Sequence, residues 1–163
     1  IFSQLSYADK KHKRHSLKVF DVCVAFTDAV FNESGDENIG PSLGDAVGGV
    51  GLILPKGTLP KDGSGDPTCD AYDSSRIGSF YTRGIIIAGL PRAASDDFGY
   101  MDWHFKIDGA GTFDTSGPIN TGALGSTYLH TITGGTGRFR STKGAMKTLV
   151  LAPGGFQIRV FLR

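Results

Sequence analysis

Between Phe98 and Ile107 the chain alternates without interruption. Met101, Trp103, Phe105 and Ile107 fall on one face, and Tyr100, Asp102, His104 and Lys106 on the other. Period two is the spacing of an extended strand with one face buried; a helix would scatter the same apolar residues around its whole circumference. The neighbouring segments agree. Ser16 to Phe31 carries Val19, Phe20, Val22, Val24, Phe26, Val30 and Phe31, a β-branched and aromatic run expected to form a long strand. Ala46–Leu54 and Arg76–Gly89 read as strands, and shorter extended pieces are expected at Gly111–Phe113, Tyr128–Thr133, Lys143–Leu151 and Phe156–Leu162.

That makes about eight strands, and no segment carries a 3.6-residue apolar stripe with caps. Glycine supplies 24 of the 163 residues, which fits a sheet protein with many tight corners. Eight consecutive antiparallel strands close into an up-and-down barrel of the lipocalin kind, just wide enough inside for packed side chains or one small ligand. A two-sheet sandwich is the alternative. The expected organisation is a flexible basic tail over residues 1–15 and a single barrel domain over 16–163.

The formal charge of +1 hides an asymmetry, because residues 1–18 hold five basic residues against Asp9 alone. A solvated tail accounts for this. There is no basic helix and no finger spacing, so nucleic acid is not an expected partner. No apolar run approaches the roughly 18 residues that span a bilayer as a helix; Gly84–Leu90, for one, has strand length. The chain does not open on methionine, which fits removal of a leader.

Cys23 and Cys69 are the two cysteines. They either pair, closing a long loop, or remain as small buried hydrophobes. Alternation along the first strand puts Cys23 on the face opposite Phe20, Val22 and Val24, turned outward, where a loop carrying Cys69 can reach it. Asn32-Glu33-Ser34 is an N-glycosylation acceptor pattern in a turn-rich stretch. Together these favour a secreted protein, with a cytoplasmic one as the alternative.

Thr133-Gly134-Gly135-Thr136-Gly137-Arg138-Phe139, followed by Gly144, resembles the signature of the dirigent and allene oxide cyclase barrels. Val24–Phe31 is similar to the opening strand of both families, and Arg76–Tyr81 to the dirigent strand that follows the long loop. Thr127-Tyr128-Leu129 resembles the cyclase pattern ahead of the glycine corner. The resemblance implies an eight-stranded, usually trimeric barrel with an apolar lumen holding a few polar groups. It implies a cyclase, an isomerase or a stereochemical guide acting on a hydrophobic small molecule, with no metal and no redox cofactor. The chain departs from the pattern in two places. Gly111–Asp114 matches the region of a second lumen aspartate loosely, and Tyr128 and His130 stand where an arginine is expected.

On this reading Asp28, Tyr81 and Arg83 are the catalytic candidates. A carboxylate at the end of the apolar row Phe20–Phe26 would be desolvated and suited to proton transfer or to holding a developing cation; the other reading of Asp28 is a turn cap. Tyr81 and Arg83 share a strand face with Ser79, Ile85 and Ile87, a sparse polar pattern typical of pockets, although Arg83 can instead extend to a rim. Phe26, Trp103, Phe105, Tyr128 and His130 are expected to contact the substrate. Asp102 and His104 lack an evident third ligand, so no metal site is assigned. The glycine corner lacks the Lys-Ser/Thr ending of a phosphate loop and precedes a strand, so its role is structural. The expected function is a cofactor-free cyclase or isomerase of secondary metabolism, forming a homo-oligomer (trimer or dimer). The alternative is a non-catalytic guide or carrier.

Overall fold

The computed structural model describes residues 18–30, 46–62, 64, 68–88, 98–120, 124–151 and 157–162. Eight antiparallel strands close into a barrel in sequence order: β1 Lys18–Val30, β2 Ala46–Pro55, β3 Gly78–Ala88, β4 Phe98–Ile107, β5 Gly111–Asn120, β6 Thr127–Gly135, β7 Ala145–Val150 and β8 Gln157–Leu162. β1 pairs with β8 from Lys18↔Leu162 to Cys23↔Gln157, which completes the ring and removes free sheet edges. The barrel class is therefore as expected, and the sandwich is excluded.

Alternation decides which residues point inward. Phe20, Val22, Val24, Ile53, Phe80, Met101, Trp103, Phe105, Phe113, Ile132, Met146, Val150 and Leu162 form one buried core inside the ring. A second, smaller cluster lies outside it: Cys23, Leu54, Leu59, Cys69 and Leu151. This outer cluster is where the long β2–β3 connection folds back on the barrel. Cys23 and Cys69 form a disulfide across 46 residues of sequence, with their Cα atoms 5.8 Å apart. Two positions earlier on the same strand, the buried Asp21 carboxylate accepts hydrogen bonds from the backbone N–H groups of Gly57 (2.8 Å) and Leu59 (3.1 Å). A covalent bond and a buried carboxylate thus hold one loop against the outer wall.

β5 is the strand that departs most from expectation. It runs for ten residues, whereas sequence favours only Gly111–Phe113. Its alternation, Phe113, Thr115 and Gly117 inward, uses polar and small residues, and Gly117 and Pro118 read as strand breakers. Pro118 sits beyond the stretch paired with β6, which runs from Phe113 to Ser116, so no ladder bond to β6 is lost there.

The glycine corner after β6 is a piece of the core. Gly137 takes a left-handed φ of 56° and opens a 3₁₀ turn, Gly137–Phe139, that drops the buried Phe139 ring onto Phe113 at 5.1 Å between centroids. The corner is stitched to the start of β5 by Thr136 N–H donating to Thr112 O (2.8 Å) and to the β4–β5 turn by Arg138 N–H donating to Ala110 O (2.8 Å).

Candidate functional site

The lumen has two levels. At the end closed by the β2–β3, β4–β5 and β6–β7 connections, aromatic rings fill the cross-section. Phe105 stacks on Phe113 at 4.6 Å, Phe20 meets both edge-on at 5.9 and 6.1 Å, and Phe139 lies beyond Phe113. Lys18 Nζ covers the outer side of Phe139 at 4.5 Å. This end is a plug. Phe105, expected at the substrate, is completely buried within it. Of the connections at the opposite end, residues 31–45, 89–97, 121–123 and 152–156 lie outside the described residues.

Above the plug the inward positions turn polar. Thr82, Trp103 and Thr115 are cross-strand neighbours at one level, through the registers Thr82↔Trp103 and Trp103↔Thr115. His130 from β6 and Thr148 from β7 join them, and all five are buried. Thr82 donates to the Asp102 carbonyl at 2.9 Å, and Thr148 to the Tyr128 carbonyl at 3.5 Å. Trp103 Nε1, Thr115 Oγ1 and both ring nitrogens of His130 have no hydrogen-bond partner among the described residues. Leaving one buried donor or acceptor unpaired costs about 1–3 kcal/mol, so a cluster of four such atoms marks a place built for something other than packing.

The geometry brings these groups together. The His130 and Trp103 rings meet edge to face, 6.1 Å apart at 87°, and Trp103 rests on Phe80 at 5.3 Å and on Phe105 at 5.8 Å. Gly117 makes room: a side chain there would run into His130 Cα and the base of its ring. Tyr128, two residues before His130, packs half-buried against the same core.

Burial pushes the His130 pKa down to about 4 from its ordinary 6.5, so the imidazole is neutral at physiological pH. The unfolded chain takes up this proton below about 6.5 and the folded chain only below about 4. Unfolding therefore binds a proton within that window, and stability falls as pH drops through it, by about 3 kcal/mol in all. Urea unfolding at pH 7 and pH 4.5 is expected to give a smaller pH loss for His130→Leu than for the wild-type protein, the other titrating groups being common to both.

Two catalytic candidates lie elsewhere. The β3 face that carries Ser79, Tyr81, Arg83 and Ile85 is the outer wall, because Phe80 and Thr82 take the inward positions; Tyr81 is 53% exposed and Arg83 is exposed as well. This corrects the placement of Tyr81 and Arg83 in the lumen, since parity had fixed which residues share a face and not which face is inside. Outside, Tyr81 stacks on His104 at 4.9 Å, and His104 Nδ1 lies 2.5 Å from Asp114 Oδ1. A groove of about 620 Å³ runs beside them, between Val50, Leu52, Tyr81 and Lys106 and the segment Cys69–Asp73. Asp28 pairs with Gly48, past a register shift between Ala25 and Asp28. The side chains of Phe26 and Asp28, and Asn32 entirely, lie outside the described residues. Sequence reading passed over Thr82, Thr115 and Thr148, although Thr115 shares its parity with Phe113.

No family model matches the sequence, and no curated protein matches it. Solved structures with the same fold include the pterocarpan synthase dirigent protein PsPTS1, at TM-score 0.62 and 13% identity, covering 90% of this chain and 92% of that one. A pyocyanin demethylase aligns at TM-score 0.57 and 15% identity over 90% and 98% of the two chains. The Diels–Alderase AbmU from Streptomyces koyangensis aligns at TM-score 0.55 and 16% identity over 93% and 71%. At these identities the likeness is one of fold.

Proposed function

We propose that this barrel binds a hydrophobic, unsaturated small molecule above the aromatic plug and controls its ring closure, as a cofactor-free cyclase or isomerase of secondary metabolism. The observation that carries this reading is the buried, unpartnered set Trp103, Thr115 and His130 in a ring that is closed at one end. Three structures of the same fold act in small-molecule chemistry by their names, a Diels–Alderase, a demethylase and a dirigent synthase, and this supports the same class here.

The work is largely conformational. Holding a flexible chain so that its reacting atoms meet supplies up to roughly 7–11 kcal/mol of the barrier, with no nucleophile required. Trp103 forms a flat wall against which a conjugated system stacks. His130, Thr115 and Tyr128 fix the polar atoms, and Asp28 is the carboxylate for proton transfer or charge stabilisation. Secretion belongs to this reading and is supported by the Cys23–Cys69 disulfide; among the described residues no helix is long and apolar enough to cross a membrane. Self-association as a trimer or dimer belongs to it too, supported by the exposed apolar band Val50, Tyr81, Ile85 and Tyr100 on the outer wall of β2–β4.

The dirigent likeness favours a second reading, a guide that sets product handedness without catalysis of its own. One experiment separates the two. Purified protein is incubated with a linear polyene carrying a diene and an alkene in one chain, and separately with a phenolic precursor plus an oxidase. Cyclised product from the first mixture supports the cyclase. Altered handedness confined to the second supports the guide, and no effect in either removes both.

A further inference from the structure

The unpartnered atoms at mid-barrel have fixed hydrogen-bonding roles. Trp103 Nε1 only donates, the Thr115 hydroxyl donates or accepts, and a neutral imidazole donates from one nitrogen and accepts at the other. A pure hydrocarbon satisfies none of them. A carbonyl oxygen satisfies the two donors on neighbouring strands, Trp103 and Thr115, and an acidic C–H or enol O–H beside that carbonyl suits the acceptor nitrogen of His130. The three residues belong to three consecutive strands, β4, β5 and β6, so they face the lumen from one sector of the wall.

We propose that the lumen takes an enolisable carbonyl compound, and that His130, rather than Asp28, is its proton-transfer residue while Trp103 and Thr115 hold the carbonyl oxygen. This rests on the lumen-binding reading above and names its substrate class. In the step, the C–H bond beside the carbonyl breaks and an N–H bond forms on His130. The released electron pair moves onto the carbonyl oxygen, which Trp103 N–H and Thr115 O–H stabilise as an enolate. The same proton then returns, to that oxygen or to a conjugated carbon, and His130 is regenerated. No oxidant, reductant or second substrate enters. The enolate and imidazolium are neutral as a pair, so a dry lumen opposes each charge alone far more than both together. Ring closure of a polyene carrying such a carbonyl would use the same enol as its reactive form.

Benzoylacetone, 1-phenylbutane-1,3-dione, is a suitable probe because its enol absorbs in the near ultraviolet. Its keto–enol relaxation after dilution into buffer is followed with and without protein, and binding is read separately from the emission of Trp103, the single tryptophan. The wild-type protein is expected to accelerate relaxation, with His130→Gln lowering kcat about 100-fold and leaving KM within about twofold. His130→Ala is expected to recover part of the rate when free imidazole is added. Thr115→Val is expected to lose about tenfold and serves in place of His130→Gln if that variant does not fold. Binding with no acceleration, or kcat unchanged in both His130→Gln and Thr115→Val, overturns the proton-transfer role and leaves the lumen-binding reading standing. Absence of any binding overturns both.

Discussion

Phe105→Ala is expected to lower the free energy of unfolding by about 3–5 kcal/mol, the range for emptying a buried phenylalanine site. For a chain of this size that corresponds to a fall in Tm of roughly 10 °C. Phe105 is completely buried, and it contacts Phe20, Phe80, Trp103 and Phe113. Three of those neighbours come from other strands, β1, β3 and β5, so the wall cannot collapse onto the gap without breaking strand pairing. Tyr81→Ala, on the outer wall beside the same strands, is the control and should change stability by no more than about 0.5 kcal/mol. Urea unfolding of the two variants measures both numbers. A loss below about 1 kcal/mol for Phe105→Ala would mean that the plug is loosely packed.

Removing the disulfide has an effect of similar size and a different origin. Closing 46 residues of sequence restricts the unfolded chain by an entropy equivalent to about 4 kcal/mol. Cys23→Ala with Cys69→Ala is expected to lose about that much, read from urea midpoints compared with the oxidised wild-type protein. The loss should appear mainly as a changed midpoint together with a steeper dependence on urea, because the freed unfolded chain exposes more surface. The segment after β2 remains tied in part by Asp21, whose carboxylate holds the Gly57 and Leu59 amides. Hydrogen exchange should therefore quicken first around Asp70–Ser75, and later at Gly57 and Leu59.

The strands with strong alternation were readable from the chain. β4 was found to the residue, Phe98–Ile107, and β1 to within two residues at its start, since both carry dense apolar rows. The Cys23–Cys69 pairing was one of two readings left open by the chain; the same parity turned Cys23 out of the barrel toward the loop, and the structure shows the bond. β5 was short in sequence because its inward side is Phe113, Thr115 and Gly117, whose fitness for a strand comes from Trp103 and His130 on the two neighbouring strands and not from propensity. The site was legible only in fragments. Trp103, Tyr128 and His130, named from the chain as substrate contacts, lie on the inward side, whereas Tyr81 and Arg83, named as catalytic candidates, lie on the outer wall, and Thr115 was passed over. A period of two says which residues travel together. Which of the two faces is inside is settled by closure of the ring and by the loop that covers part of its outer wall, both long-range facts. The glycine corner carried the family resemblance and turned out to deliver the Phe139 ring to the plug, a packing role.

Whether a guest enters the ring at all is tested most directly by the emission of Trp103, measured while benzoylacetone is titrated into the protein at neutral pH. Occupation of the lumen should quench that emission saturably at one ligand per chain, equally in the wild-type protein and in Tyr81→Ala. Binding that leaves Trp103 unchanged and disappears in Tyr81→Ala would place the ligand in the outer groove beside Val50 and Leu52, and the interior would then be a packed core with no guest.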